Sequence, residues 1–382
     1  MLQELTKEQQ DIQKAAREFA EAEFPEVALE FDRKEEFPRE IWKKACDLGF
    51  VGIFIDEKYG GGGLGYFENG LVTEEFWSVD PGLGTLLLST IGSEYLLLHG
   101  REEQKEKYLP PLCTGEAIMG LAATEPDSGS DISSASTTAV KQGDEYVING
   151  SKVFITNGTI ANFLIVFCRT HPDAEDPYGR HSAILVETDR KGFQATKLKG
   201  KMGARASETA ELSFNDVRVP TSNLVGEVEG KGFYQLMDMF NRTRICVAAQ
   251  GVGVAKGALE KAIKYTKKRK QFGKPLSSFQ ATQFKIAENM TYIEAGRSLY
   301  YRAAQLVDHG IICPELISMA KWYCGEVGVR VTDEALQMHG GWGYFEDYDV
   351  ERFYRAAKIV EIVEGAKDIE KIVIAREILR RM

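Results

Sequence analysis

The six cysteines of this 382-residue chain, Cys46, Cys113, Cys168, Cys246, Cys313 and Cys324, include no C-x-x-C pair. Their scatter argues against a disulfide framework or a metal site and fits reduced thiols in a cytosol-like compartment. No run of about 18 apolar residues occurs, which excludes an ordinary membrane-spanning helix. The opening Met-Leu-Gln-Glu-Leu-Thr-Lys-Glu is polar and acidic and lacks the pattern of a leader, so a cytoplasmic location is expected. Positive charge is in deficit. With 47 Lys and Arg against 57 Asp and Glu, the net charge is -10, which argues against nucleic acid or an anionic membrane as the main partner. Two glycine clusters also lack what a nucleotide site needs. Tyr59-Gly-Gly-Gly-Gly-Leu-Gly has neither the lysine nor the hydroxyl of a P-loop and reads as a flexible connector. Gly251-Val-Gly-Val-Ala-Lys-Gly has the wrong spacing and no preceding strand for a dinucleotide fingerprint; its small residues suit two helices that approach closely.

A hydrophobic content of 43% is enough for a large core, and the length predicts two or three domains. From Leu5 to about Ile118 the pattern is helical, with Leu5, Ile12, Ala16, Phe19 and Ala20 on one face and Pro38 opening a helix before Ile41 and Trp42. Further helical stretches run from Ile91 to Leu98 and from Glu103 to Leu109. The texture then changes. Residues 147–158, 163–168, 182–186 and 212–220 are short β-rich runs divided by turn residues, predicting a small antiparallel barrel or sandwich. From about Gly232 long helical segments return, with turns near Gly273, Gly310 and His339, as in an antiparallel bundle. The expected class is α+β multidomain: an N-terminal helical domain (1–118), a middle antiparallel β-barrel domain (119–228) and a C-terminal antiparallel four-helix-bundle domain (229–382).

Near the C-terminus, Ile362, Ala366, Ile369, Val373 and Arg376 recur at helical spacing, and Gly365 is expected to interrupt that helix. This puts Glu364 at an elbow after apolar Val360, Ile362 and Val363. Partial burial there would raise the carboxyl pKa and suit it to take a proton from carbon. Taken singly, this segment reads as an amphipathic helix with a solvated glutamate. The same is true of three others. Leu121-Ala-Ala-Thr-Glu-Pro-Asp-Ser-Gly-Ser-Asp reads as a turn with capping serines. Lys152-Val-Phe-Ile-Thr-Asn-Gly reads as a strand and turn, and Arg269-Lys-Gln-Phe-Gly-Lys-Pro as the basic end of a helix that could grip a pyrophosphate.

Together and in this order, the segments resemble the acyl-CoA dehydrogenases, FAD enzymes that introduce an α,β double bond into acyl-CoA thioesters. The motifs are Thr-Glu-Pro-x-x-Gly-Ser-Asp at 124–131, Lys-x-Phe-Ile-Thr-Asn-Gly at 152–158 and Lys-Met-Gly-x-Arg-x-Ser-x-Thr at 201–209. Arg-x-Gln-Phe-Gly at 269–273, Gln-x-x-Gly-Gly-x-Gly-Tyr at 337–344 and Glu-Gly at 364–365 complete the set. The resemblance covers nearly the whole chain. It implies that Leu121, Ala123, Thr124, Gly129, Ser130, Phe154, Ile155 and Thr156 bind the flavin. It further implies that Arg269, Gln271, Phe272, Phe279, Gln280, Gln337, Met338, Gly340 and Gly341 contact the FAD of a neighbouring subunit, with Ala366 and Asp368 near the flavin. Ser130, Ser207, Asn241, Arg244, Gly365 and Arg376 would touch the CoA thioester. Glu364 would be the base: some members carry it immediately before the residue matching Arg244, but Thr243 stands there and cannot serve. No metal is implied. An acyl-CoA substrate, electron-transfer flavoprotein as acceptor and a homotetramer are.

The chain departs from the family pattern in places. Ala366 and Asp368 replace a hydroxyl residue and an acid or amide two places on, Arg355-Ala356 replaces Arg-Asp, and Asp349 replaces a proline. Val363 replaces a tyrosine common in straight-chain enzymes, a change that would widen the pocket for a branched or alicyclic acyl group. Gly82-Leu-Gly-Thr-Leu-Leu-Leu, where the acyl pocket usually lies, is apolar and has no arginine for a distal carboxylate. A short- to medium-chain hydrocarbon acyl-CoA is therefore the expected substrate. Two alternatives stand beside this reading: a non-catalytic flavin-binding family member, and an acyl-CoA oxidase.

Overall fold

A computed structural model describes residues 5–382; residues 1–4 of the polar N-terminus and of the expected first domain lie outside the described residues. Helix α1 (Lys7–Glu23) is opened by a capping box in which Thr6 and Gln9 bond each other's backbone N–H, and it buries Ala16, Phe19 and Ala20. Leu5 precedes this helix and is not part of its face. Helices α2 (Ala28–Lys34), α3 (Arg39–Asp47), α4 (Tyr66–Val79), α5 (Ser93–His99), α6 (Glu102–Tyr108) and α7 (Pro110–Cys113) follow. The expected helix from Ile91 begins instead at Ser93, after a 3-10 segment over Leu83–Thr90. The four-glycine segment is a packed turn and not a flexible connector. Gly63 N–H donates to the Ile55 carbonyl at 2.8 Å, and a Cβ on Gly61 would lie 2.1 Å from the same oxygen.

The middle of the chain forms a seven-stranded sheet. Its strands are β1 (Met119–Ala122), β2 (Thr138–Gln142), β3 (Glu145–Thr156), β4 (Phe163–Arg169), β5 (His181–Glu187), β6 (Phe193–Lys197) and β7 (Thr209–Pro220). Contrary to the antiparallel expectation, β1 pairs with β4 in parallel, and so does the start of β2 at Thr138 with Arg169. Because β5 occupies one edge of β4 from Phe163 to Arg169, β1 and β2 share the other edge in succession. Strand β4 is apolar throughout because both its faces are buried. Phe163, Ile165 and Phe167 join the core of the N-terminal helices, while Leu164, Val166 and Cys168 pack inside the sheet with Ile148 and Leu212.

The rest is helical: α8 (Gly232–Lys268), α9 (Gln280–Asp308), α10 (Pro314–His339), α11 (Val350–Val360) and α12 (Lys367–Arg381). The small-residue run on α8 does what its composition suggests. A Cβ on Gly251 would lie 2.4 Å from the Cys324 carbonyl of α10, and one on Gly257 would lie 2.0 Å from the Ser78 carbonyl of α4. Through this close packing Phe67, Leu71 and Trp77 of α4 share a core with α8, α9 and α10. No helix among the described residues is long and apolar enough to cross a membrane.

Candidate active site

Helix α11 ends at Val360, so Ile362 lies beyond it, in the turn, and is exposed; the helical spacing resumes only with α12. Between them Glu364 has φ +53 and Gly365 φ +117. A left-handed backbone at a non-glycine residue costs about 1–3 kcal/mol and persists only where its surroundings enforce it. Here they do. Arg244 Nε donates to the Glu364 carbonyl at 2.8 Å, and Lys321 Nζ donates to the Gly365 carbonyl. Arg244 Nε also lies 3.2 Å from Glu370 Oε1 in the first turn of α12. Glycine is required at 365, since a Cβ there would lie 2.1 Å from that carboxylate oxygen.

The turn aims the half-buried Glu364 at α8, where the Thr243 hydroxyl donates to its Oε2 at 2.6 Å. Burial pushes the Glu364 carboxyl above its ordinary range. The Thr243 hydrogen bond and the charges of Arg244 and Lys321 pull the other way, while Glu370 adds to the rise. The ammonium of Lys321, itself buried, is lowered to about 8, chiefly by desolvation. The result is a carboxylate poised to accept a proton. Nothing in the sequence around Lys321 or Glu370 marked them; both are found only through the fold.

Strands β1 and β3 pack against each other. Val153 N–H donates to the Thr124 carbonyl at 3.0 Å, joining the first two motifs. Glu125 accepts from Lys152 Nζ at 2.8 Å, from Ser136 N–H at 2.7 Å and from Thr137 N–H at 2.8 Å. Burial would raise this carboxyl, but those donors hold it down at about 2. The register of β3 against β7 shifts between Lys152 and Ile155, and in that bulge Phe154 takes φ +60 and leaves 69% of its surface exposed. Ile155 points the other way into the sheet core, so only its backbone is free for a ligand. Leu121, Thr124 and Thr156 are half-buried, Ala123 is buried, and Gly129 and Ser130 are exposed. The loop bearing Ser207 braces α11: a Cβ on Gly203 would lie 2.4 Å from the Ala356 N.

Other expected contacts lie far off on the same chain. Arg269 follows Thr243 by 26 positions of α8, about 39 Å along a helix that rises about 1.5 Å per residue. Its hairpin, Lys270–Gln271 against Lys274–Pro275, leaves Phe272 92% exposed, with Phe279 half-buried and Gln280 exposed just beyond it. Tyr265, one turn earlier, stacks on His339 at 4.5 Å, so Gln337, Met338, Gly340 and Gly341 share this distant end. Among these Met338 is buried, and Gln337, Gly340 and Gly341 are exposed. Asn241 is half-buried beside Thr243, Ala366 caps α12, and Asp368 and Arg376 are exposed on it. One of the departures is accounted for by pairing, Asp349 with Lys261 at 3.0 Å; Arg355, which keeps the family residue, pairs with Asp32 at 2.8 Å, and Ala356 beside it is buried.

Family models match in three consecutive pieces: the acyl-CoA dehydrogenase N-terminal domain over residues 6–116, the middle domain over 120–217 and the C-terminal domain over 230–379. This chain belongs to the acyl-CoA dehydrogenase family. Acryloyl-CoA reductase (NADH) of Anaerotignum propionicum is 43% identical, covering 99% of this chain and 96% of that protein. The CarC subunit of the caffeyl-CoA reductase-Etf complex of Acetobacterium woodii is 40% identical, over 97% of this chain and 98% of that one. Among solved structures, butyryl-CoA dehydrogenase from Megasphaera elsdenii superimposes with a TM-score of 0.95 at 39% identity, covering 99% of this chain and all of that one. The family consists of FAD-dependent oxidoreductases that act on CH–CH bonds. The residues here fit a flavin: an exposed phenyl ring on a strained strand bulge, with Thr156 two places on and Thr124 bonded to Val153 beside it, is a surface that a planar ring would cover.

Proposed function

We propose that the protein interconverts a short- to medium-chain acyl-CoA, straight, branched or alicyclic, and its α,β-enoyl-CoA, with Glu364 as the base that takes the α-proton. The observation that carries this reading is the strained elbow that presents Glu364 to Thr243 at 2.6 Å. FAD, when bound, supplies a two-electron acceptor for the hydride that leaves Cβ. The chain's own contribution is proton transfer and charge stabilisation. A raised carboxyl pKa brings the base toward the acidity of its target, and general-base catalysis contributes roughly 10²- to 10⁴-fold. The thioester oxygen gains negative charge as the proton leaves and needs fixed donors, each worth roughly 3–4 kcal/mol. The Glu364 N–H, which has no backbone acceptor among the described residues, is available as one.

The contacts near Arg269 and Gln337 are proposed to serve the FAD of a neighbouring subunit, because about 39 Å of helix separates them from Thr243. An oligomer is needed for such sharing, and a homotetramer built as a dimer of dimers is proposed. Electron-transfer flavoprotein is the proposed redox partner, by likeness to the CarC subunit. A cytoplasmic location and division into helical (1–118), β (119–228) and helical (229–382) domains complete the reading. A second reading concerns direction. The 43% identity to an acryloyl-CoA reductase favours enoyl-CoA reduction as the working direction. Anaerobic titration of the FAD-loaded protein with a panel of acyl-CoAs tests both. Bleaching of the oxidised flavin by hydrocarbon acyl-CoAs, and rapid recolouring of the reduced protein by enoyl-CoAs, are expected. No response to any CoA thioester would refute the proposal.

A further inference from the structure

One acid near the reactive elbow has no part in that chemistry. Glu94 stands in the first turn of α5, 6% exposed, and its Oε2 is buried without a hydrogen-bond partner. A buried carboxyl oxygen left unmatched is destabilising, so its persistence points to a partner outside the chain.

Its surroundings locate it. Gly92, which caps α5 at φ +101, sits against β1 so closely that a Cβ would lie 3.5 Å from Leu121 Cβ. The Leu88 carbonyl accepts from Asn157 Nδ2 at 2.8 Å, just past Phe154 and Thr156 on β3. On the opposite side the Tyr95 hydroxyl donates to Gln235 Oε1 of α8 at 2.8 Å. Glu94 therefore lies between the strands expected to hold the flavin and the helix that carries Thr243. It senses the charge of Glu364, and Cys246, nearly one turn beyond Thr243, senses both acids. Burial raises the Glu94 carboxyl to about 8; its own N–H and that of Gly92 oppose the rise, and Glu364 adds to it. Near neutral pH it is an acid with one O–H to give.

We propose that Glu94 is a specificity-determining residue whose protonated carboxyl donates a hydrogen bond to a neutral hydroxyl or carbonyl oxygen on the acyl chain, beyond Cβ. The proposal rests on the acyl-CoA reading above and amends it: the preferred chain bears oxygen instead of being pure hydrocarbon. A distal carboxylate would face two acids and is rejected. An unsubstituted chain would leave Oε2 unmatched, and a site built to hydrogen-bond its ligand discriminates against the analogue that lacks the group.

The test uses the FAD-loaded protein and anaerobic flavin bleaching. Hexanoyl-CoA is compared with analogues carrying a hydroxyl or keto group at successive carbons beyond Cβ. The readout is the ratio of second-order rate constants, best oxygenated analogue over hexanoyl-CoA. Wild type should give roughly five- to tenfold, the worth of one net hydrogen bond of about 1–1.4 kcal/mol. Glu94→Leu should bring the ratio to about one or below. A wild-type ratio near one, or a leucine variant that keeps the wild-type ratio, overturns the proposal. If that variant fails to fold, wild type alone decides, read on the keto analogues, whose oxygen can only accept: their ratio should fall severalfold from about pH 6.5 to 9.5 as Glu94 loses its proton. Glu364, Cys246 and the Tyr66 phenol of α4, which also senses Glu94, act on both substrates alike and cancel in the ratio, so a flat keto ratio is equally fatal. Failure of every CoA thioester to bleach, hexanoyl-CoA included, would instead sink the acyl-CoA reading on which the proposal stands.

Discussion

The hydroxyl of Thr243 lies 2.6 Å from Oε2 of Glu364, although 121 positions separate the two residues in the chain. The residue that cannot act as a base at position 243 thus steadies the one that can. A hydroxyl donor favours the ionised carboxylate, and its effect opposes the burial that favours the acid.

Removing the carboxylate separates proton transfer from cofactor binding. Glu364→Gln keeps the side-chain shape on a backbone already fastened by Arg244 and Lys321. We expect FAD content and thermal melting close to wild type, and flavin bleaching slowed by at least about 10²-fold. Stopped-flow absorbance under anaerobic conditions measures the rate. A variant that bleaches at the wild-type rate would remove Glu364 from the reaction.

The Thr243 hydrogen bond makes a signed prediction about pH. Thr243→Val deletes an influence that lowers the Glu364 pKa, so the carboxyl rises further and is ionised only at higher pH. Hydrogen bonds to charged groups contribute about 1.5–3 kcal/mol, and about 1.4 kcal/mol corresponds to one pH unit. The acid limb of the kcat/KM profile should therefore move up by about one unit or somewhat more, with rates recovering toward wild type above it. A limb that stays in place or moves down would show that Thr243 does not stabilise the ionised base.

The Glu125–Lys152 pair predicts a loss of stability with its own pH dependence. Both side chains are buried, and the ammonium also donates to the Ala123 carbonyl at 2.9 Å. Lys152→Met leaves Glu125 buried without its cation, a change that costs about 3–5 kcal/mol. In wild type the folded-state pKa of Glu125 is depressed to about 2. Its contribution is thus complete above the ordinary carboxyl range and fades as pH falls toward 2. In the variant the same carboxyl is raised, and protonation relieves its burial. Denaturant unfolding should show a smaller wild-type-to-variant difference at pH 4 than at pH 7. An equal difference at both would mean that the charge of Glu125 is not what Lys152 balances.

The sequence by itself determined the order of helices, strands and helices, because periods of two and of three to four residues are local properties of the chain. It suggested a break beside Glu364, since Gly365 is a poor helix former, but the left-handed turn itself is held by Arg244 and Lys321 from distant helices. It also determined the family, whose motifs are short and contiguous. Strand β4 shows the limit of this local reading. Its apolar run announces burial, but not that β1 and β2 would share one edge in parallel, because pairing depends on partners distant in sequence. Strands β1, β2 and β6 are only four or five residues long and carry too little pattern to stand out. Tertiary structure alone decided which charges meet. Lys321 under the Gly365 carbonyl, Glu370 beside Arg244 and Glu94 within range of Glu364 all join separate elements. A buried charge is defined by what surrounds it, and no local stretch of sequence holds that information.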